Sequence, residues 1–276
     1  KKRFKMKLNK QEFIEKVKTD ATYKKFITRD AIILLSKIFN DNYKKEEYSV
    51  TIDNPLDIVL EFYKEYNVDY YNLILSGING GNIQISKSGK SFVDTYTNKT
   101  FIRLSENDCD IYVITHELAH FIDRRSKIID DNYWFLSETF ALYFEKRLEN
   151  WLDNKKYKDL IKARKHNRMF FESRIINVII DELYYEDLYN QKGNICEEDI
   201  DVKKMNKILS YDVDENIVNV LLQYPFGNII SDYLINNEIV KDERNFVGYC
   251  LNTNIYEIFN DKINKKLGEK NEKQYI

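Results

Sequence analysis

The stretch from Ile111 to Ile122 contains the pattern that decides the fold of this chain, and its centre reads His116-Glu117-Leu118-Ala119-His120. Apolar residues recur through this stretch at helical spacing without Gly or Pro, so the sequence predicts one continuous helix. Ser105, with Asp108 three residues later, predicts the start of that helix as a variant of the capping box. Residues four apart lie on one helix face, so His116 and His120 can bind a single metal ion.

The same helical geometry predicts a catalytic role for Glu117. It is rotated by about 100° from His116 on a helix, which places it beside the ion and not on it. A base for a metal-activated water belongs at that position. The alternative is an ordinary helix with two histidines on its solvated face. Two of the three histidines in the chain fall in this pattern, with a Glu correctly placed between them, and this favours the metal site.

A third metal ligand must come from elsewhere, because a catalytic zinc takes three protein ligands and keeps one position for water. Asp123 lies three residues after His120 but about 10 Å along the helix from His116, at 1.5 Å per residue. No Gly turns the chain there, so we interpret Asp123 as a solvated group or one behind the ligands.

Glu138 is the better candidate for the third ligand. The short polar connection from Lys127 to Asn132 allows a second helix to return antiparallel to the first, with Glu138 near its start and facing both histidines. Glu145 lies on nearly the same face two turns later, as an alternative ligand or a group that supports one.

The second segment reads Leu136-Ser137-Glu138-Thr139-Phe140-Ala141-Leu142-Tyr143-Phe144-Glu145. Together with the motif at 115–120 it resembles the gluzincin metallopeptidases, the group that includes thermolysin, the zinc aminopeptidases and the thimet-like oligopeptidases. About thirty of 276 residues carry the resemblance. Thr139 stands where the group usually has Gly, and the seventeen residues between His120 and Glu138 are one fewer than in the aminopeptidases.

The resemblance implies a zinc-dependent peptidase acting on a peptide or protein substrate. By position, His116, His120 and Glu138 would bind one zinc ion per chain, and Glu117 would be the general base. The gluzincins also use a Tyr or His further along the chain to stabilise the oxyanion. Tyr224, interpreted as lying at a break between helices, is the first candidate here, and Tyr189 and His166 are the alternatives.

Two further features bear on the substrate. The aminopeptidases of the group hold a free amine with an acidic residue in a Gly-rich segment, whereas Gly77–Asn82 has none. This favours an endopeptidase or oligopeptidase. In the group an edge strand before the metal helix pairs with the substrate backbone, a role that falls here to Thr100–Leu104. A catalytically inactive gluzincin-like binding or regulatory module is the alternative function.

The fold predicted for the chain is α+β and predominantly helical, with a zincin-like core, a small mostly antiparallel sheet and a helical C-terminal lobe. Strands are predicted at Tyr71–Leu75 and Ile83–Ser86, followed by a hairpin of Phe92–Tyr96 with Thr100–Leu104. Helices are predicted within 10–66, starting again at Asn54-Pro55, and over 131–152, 155–190, 197–209, 213–238 and 246–267. We divide the chain into 1–150, with the sheet and metal helices, and 151–276, a lobe that closes the cleft.

The composition of the chain limits the kinds of partner that we expect it to bind. Forty-three basic and forty-five acidic residues nearly cancel, so no net field recruits nucleic acid, and no apolar run reaches the length of a membrane span. Three widely spaced cysteines, Cys109, Cys196 and Cys250, form no disulfide framework and slightly favour the cytoplasm. Secretion is also compatible with this pattern, because the chain begins at Lys1 and an upstream segment can have been removed. No feature indicates an oligomeric state.

Overall fold

A computed structural model of the chain describes residues 19–26, 28–39, 52–87, 91–94, 97–104, 110–153, 157–185 and 218–273. Most of these residues are helical, as predicted. The α-helices are α1 Ala21–Phe26, α2 Arg29–Ile38, α3 Pro55–Tyr66, α4 Val68–Asn79, α5 Asp110–Ser126, α6 Leu136–Asp153, α7 Lys158–Tyr185, α8 Val218–Asn236, α9 Phe246–Leu251 and α10 Ile255–Lys273. The predicted capping box at Ser105 and the predicted helix 197–209 lie outside the described residues.

Helix α3 begins at Pro55 as predicted, but the strand predicted at Tyr71–Leu75 is wrong, because these residues belong to α4. The side chain of Asn67 caps α4 by accepting hydrogen bonds from the backbone N–H groups of Asp69 and Tyr70, at 2.9 and 3.2 Å. A short apolar run does not by itself distinguish a strand from a buried helix, and here the cap decides.

Gly77 fixes the approach of α4 to α5. A Cβ atom on Gly77 would lie 2.6 Å from Cζ of Phe121 and 2.7 Å from Cδ1 of Ile83, so only glycine fits between these side chains. The helix continues to Asn79, and the turn that follows it leads directly into the sheet.

The sheet consists of β1 Ile83–Ser86, β2 Phe92–Asp94 and β3 Lys99–Arg103 in the order β1-β3-β2. The predicted strand at 83–86 and the hairpin of β2 with β3 are confirmed. The predicted mostly antiparallel character is wrong, because β1 pairs in parallel with β3 over four residues, from Ile83 opposite Thr100 to Ser86 opposite Arg103. β3 therefore pairs with β1 on one side and with β2 on the other. β3, the strand before α5, is central, so the edge position predicted for it is wrong.

Helices α5 and α6 form the centre of the molecule, and α8 packs across α6. α5 also packs against α3 and β3. The buried apolar residues of the described ranges form one cluster, with members from both sides of residue 150, and α6 itself runs through that position. The predicted helix 246–267 is interrupted at Asn252–Asn254, between α9 and α10. No helix in the described part of the chain is long and apolar enough to cross a membrane.

Candidate metal centre

His116, His120 and Glu138 converge on one point between α5 and α6. The Nε2 atoms of the two histidines are 3.2 Å apart. One oxygen of Glu138 lies 3.1 Å from Nε2 of His116, and the other lies 3.4 Å from Nε2 of His120. His120 meets the start of α6 and His116 reaches further along it to Glu145, so the two helices run antiparallel, as predicted. This group can hold a metal ion.

The spacing of these atoms fits a small tetrahedral cation. Ligand atoms bound at about 2.0–2.1 Å in a tetrahedron stand about 3.3 Å from one another. The three separations of 3.1–3.4 Å are close to that value, and the two that involve Glu138 are made by different oxygens of its carboxylate. The three side chains are 11–15 % exposed, so the group is largely buried but still accessible to water.

The other ring nitrogens of the histidines are also engaged. Nδ1 of His116 lies 2.9 Å from Oε1 of Glu145, and Nδ1 of His120 lies 3.1 Å from Oγ of Ser137. Such contacts orient imidazole ligands and direct Nε2 towards the ion. Glu145 is thus a supporting group and not the third ligand. Sequence reasoning did not assign Ser137 a role, although its position next to Glu138 in the resembling segment was a usable signal.

Glu145 is in turn bound by two arginines of α7. Its Oε2 accepts hydrogen bonds from Nη2 of Arg164, at 2.9 Å, and from Nη2 of Arg168. The stretch 162–168 is basic, a composition more often found on a solvated helix face. Arg168 is nevertheless only 6 % exposed, because it binds the buried carboxylate of Glu145.

The charges around the group favour a positive charge at its centre. Burial alone would raise the pKa of Glu138, but the neighbouring His120 and His116 outweigh it and hold the pKa below its usual value. Burial lowers the pKa of His116, but Glu138 and Glu145 outweigh it and raise that pKa to about 10. Both shifts therefore have the same cause, the attraction between the imidazoles and the two carboxylates.

Glu117 is half-buried, and it interacts electrostatically with His116, His120 and Glu138. Burial, the largest influence, raises its pKa, while the two histidines oppose the shift. A carboxylate with a raised pKa is a stronger base than one in water, and a base is most effective when its pKa approaches the working pH. The role of Glu117 as the general base stays a prediction.

Tyr224 adjoins the same group from α8. Its ring stacks on that of His116 with a centroid distance of 6.3 Å and an interplanar angle of 16°. The negative charge of Glu138, followed by burial, raises the pKa of Tyr224 well above its usual value, so the hydroxyl remains a hydrogen-bond donor. The predicted break between helices is wrong, because α8 continues through Pro225. The buried side chains of Leu222, Phe226 and Ile229 hold this helix despite the hydrogen bond that proline removes.

The remaining sequence candidates lie away from the group or outside the described residues. His166 is two residues from both Arg164 and Arg168, about 200° around α7, so it points away from the side that reaches Glu145. Tyr189 is not among the described residues. Asp123 is buried, neither solvated nor a ligand in the group, and its Oδ1 accepts the backbone N–H of Ile129 at 2.8 Å. It closes the turn that leads from α5 towards α6.

The fold and the group define a helical protein with a His/His/Glu cluster that can hold a metal ion. Comparison with protein-family models, with curated proteins and with solved structures found no match to the chain.

Proposed function

We propose that the chain is a zinc-dependent peptidase with a gluzincin-like, zincin-fold core. The proposal rests on one observation, the convergence of two Nε2 atoms and one carboxylate at separations that suit a tetrahedral cation. Three ligands of this kind leave a fourth position, as in catalytic zinc sites. His116, His120 and Glu138 would hold the ion. Zinc, when bound, supplies positive charge that acidifies a water and polarises a carbonyl group.

The residues around the group would carry out the remaining steps of the reaction. Glu117 accepts a proton from the attacking water and returns it to the amine nitrogen that leaves. The Tyr224 hydroxyl donates a hydrogen bond to the oxygen on which negative charge develops. Glu145 and Ser137 hold the two imidazoles in orientation through their Nδ1 atoms. Tyr189 remains the alternative to Tyr224 for the oxyanion, whereas His166 points away from the group.

The proposed substrate is a peptide that is cleaved internally. The turn after α4 contains Gly80 and Gly81 but no acidic residue for a free amine. Since β3 is paired on both sides, the strand available to an extended substrate among those described is β1 or β2. β2 is the edge strand that also contacts α5, which carries both histidines. We therefore assign substrate pairing to β2 in place of β3.

Metal analysis and two variants test the function. The purified protein should contain about one zinc ion per chain, which His116→Ala should lose because it removes one of three ligands. His166→Ala is the matched control, since it removes the one histidine outside the group and should retain the metal. A folded wild-type protein that takes up no zinc would overturn the proposal.

Glu117→Gln tests catalysis separately from metal binding. Hydrolysis of unstructured peptides should fall by about 10²–10⁴-fold, the usual contribution of a general base, while the zinc content is unchanged. Peptides with blocked and free N-termini should both be cleaved by the wild-type enzyme, as expected of an endopeptidase. A wild-type protein that binds zinc but cleaves neither peptide would instead indicate an inactive binding module.

A further inference from the structure

Glu145 connects the metal group to a helix that contributes no ligand to it. The two oxygens of this carboxylate have different partners, because Oε1 faces His116 and Oε2 faces Arg164 and Arg168. Glu145 is 1 % exposed, so neither oxygen can exchange these partners for bulk water. Helix α7 therefore contacts the imidazole of His116 through this side chain of α6.

The two arginines make this arrangement possible. A carboxylate that is buried without compensation is unfavourable, and one contact with an imidazole would leave Oε2 with no partner. Arg164 and Arg168 are four residues apart on one face of α7, so both guanidinium groups can approach the same oxygen. Arg168 is the more deeply buried of the two, with its side chain 6 % exposed against 24 % for Arg164.

Further contacts restrain the arginines themselves. The guanidinium group of Arg164 lies over the ring of Tyr112, 4.9 Å from its centroid. Nη1 of Arg168 lies 4.0 Å from Oε1 of Glu149, one turn beyond Glu145 on α6. Side chains that are restrained in this way can set the orientation of the carboxylate between them.

We propose that Arg168, supported by Arg164, is a positioning residue for metal binding that acts through Glu145 on His116. By fixing the Glu145 carboxylate, it keeps Nδ1 of His116 engaged and Nε2 directed at the cation. The inference rests on the proposed metal-binding role of His116, but it does not require that the protein hydrolyse peptides.

The geometry makes arginine and lysine unequal at this position. A guanidinium group is planar and offers several N–H donors in a fixed fork, whereas an ammonium group is a compact charge on a flexible stem. Arg168→Lys keeps the positive charge and loses the fixed direction of the donors. It should therefore retain only part of the effect.

The experiment measures zinc affinity by competition with a chromophoric chelator, on the full chain after removal of metal. Arg168→Met should weaken zinc binding by about 10–100-fold, the range found when a partner behind a metal ligand is lost. Arg168→Lys should fall between this variant and the wild type. Lys165→Met is the matched control, because it removes a charge from the same helix at an exposed side chain near Glu149, and should change the affinity by less than about twofold.

A double-mutant cycle separates positioning from a general structural role. In a Glu145→Gln background, Arg168→Met should cause no further loss of zinc affinity, because the proposed route no longer exists. If the two losses simply add, or if Arg168→Met binds zinc as tightly as the wild type, the inference is overturned. If Arg168→Met does not fold, the same cycle with the more exposed Arg164→Met decides between these outcomes.

The outcomes also distinguish this inference from the proposed function. A wild-type protein that binds zinc without cleaving peptides would contradict the peptidase and leave the positioning role standing if the cycle behaves as expected. Zinc binding that depends on His116 but not on Arg168 would overturn the positioning role alone.

Discussion

Two buried carboxylates of this protein, Glu145 and Glu172, differ in whether positively charged groups form hydrogen bonds with them. Glu145 is next to His116 and two guanidinium groups, and Arg168 and Arg164 hold its pKa below the usual value although burial opposes them. Glu172, on α7, accepts a hydrogen bond from the side-chain amide of Asn228 at 2.6 Å. Burial raises its pKa to about 7, and nearby Arg168 lowers that value only in part.

The difference shows that burial does not determine the charge of a carboxylate in this molecule. Both side chains are 1 % exposed, but only Glu145 is hydrogen-bonded to positively charged groups. Arg168 is directed at Glu145, whereas Glu172 accepts a hydrogen bond from the neutral amide of Asn228. Helix α8 contacts both environments, since Tyr224 stacks on His116 and Asn228 binds Glu172 one turn later.

Among the changes that test this comparison, Tyr224→Phe should have the largest effect, and it tests whether the side of α8 that faces His116 takes part in catalysis. If the enzyme is the proposed peptidase, loss of one donor to the oxyanion should lower kcat by about 10²–10³-fold. Phenylalanine preserves the ring that stacks on His116, so zinc content and KM should change little. Steady-state kinetics with one internally quenched peptide, together with metal analysis, measure all three quantities.

Tyr233→Phe is the matched control for Tyr224→Phe. It lies nine residues further along α8, about 180° around the helix, and should leave kcat unchanged. Equal kcat values for Tyr224→Phe and the wild type would mean that Tyr224 only packs against His116, and Tyr189 would be the next candidate for the oxyanion donor.

Glu172→Gln tests the other carboxylate of the comparison, through the pH dependence of the stability of the protein. The folded-state pKa of Glu172 is raised from 4.5 to about 7, so the folded protein binds this proton more tightly than the unfolded chain. Stability should therefore fall as the pH rises from about 4.5 and level off above about 7. The shift corresponds to about 3 kcal/mol at 1.36 kcal/mol per pKa unit, and Gln, which does not ionise, should remove this loss.

The measurement is the free energy of unfolding in urea at pH 5 and pH 8 for the wild type and the variant. The variant should gain up to about 3 kcal/mol relative to the wild type between the two pH values. Glu61→Gln, at an exposed position on α3, is the control and should show no such gain. A difference between Glu172→Gln and the wild type that is the same at both pH values would show that Glu172 does not titrate in this range.

The sequence predicts the metal group better than the residues that support it. His116, Glu117 and His120 share one helix, so helical geometry alone relates them, and Glu138 follows from a recognisable second segment. Arg164 and Arg168 become partners of Glu145 only because α7 packs against α6. No local spacing encodes that contact, and a basic helix segment is more often solvated.

The errors in the predicted fold have the same origin. Tyr71–Leu75 is compatible with a strand until the cap at Asn67 and the packing on α5 are known. β3 pairs with its neighbour in sequence as expected, but its second partner β1 comes from beyond the hairpin. Pro225 predicts a helix break, whereas burial of the surrounding α8 residues overrides the cost of one hydrogen bond.

The smallest effect is expected from a substitution of Gly227, where α8 crosses α6. This crossing holds α8 in place beside both His116 and Glu172. A Cβ atom on Gly227 would lie 3.0 Å from Cδ1 of Leu142 and 3.1 Å from both Cα and Oγ1 of Thr139. The resembling peptidases usually have Gly at the position of Thr139. Here the small residue that permits close approach is on the opposite helix, and Oγ of Ser231 binds the Thr139 carbonyl oxygen at 2.9 Å.

Gly227→Ala should therefore destabilise the protein by about 1–2 kcal/mol, measured as the free energy of unfolding in urea. Overpacking of this kind costs about 1–3 kcal/mol, and the better helix propensity of Ala offsets about 0.5–1 kcal/mol of it. The overpacking prevails because Cα of Thr139 belongs to the backbone and cannot rotate away. Gly248→Ala in α9 is the control, since its Cβ would meet Asn245 at an ordinary 3.6 Å, and it should be neutral or slightly stabilising. If Gly227→Ala instead stabilises the protein as much as Gly248→Ala does, α6 and α8 do not cross closely at Thr139, and α8 would not hold Tyr224 against His116.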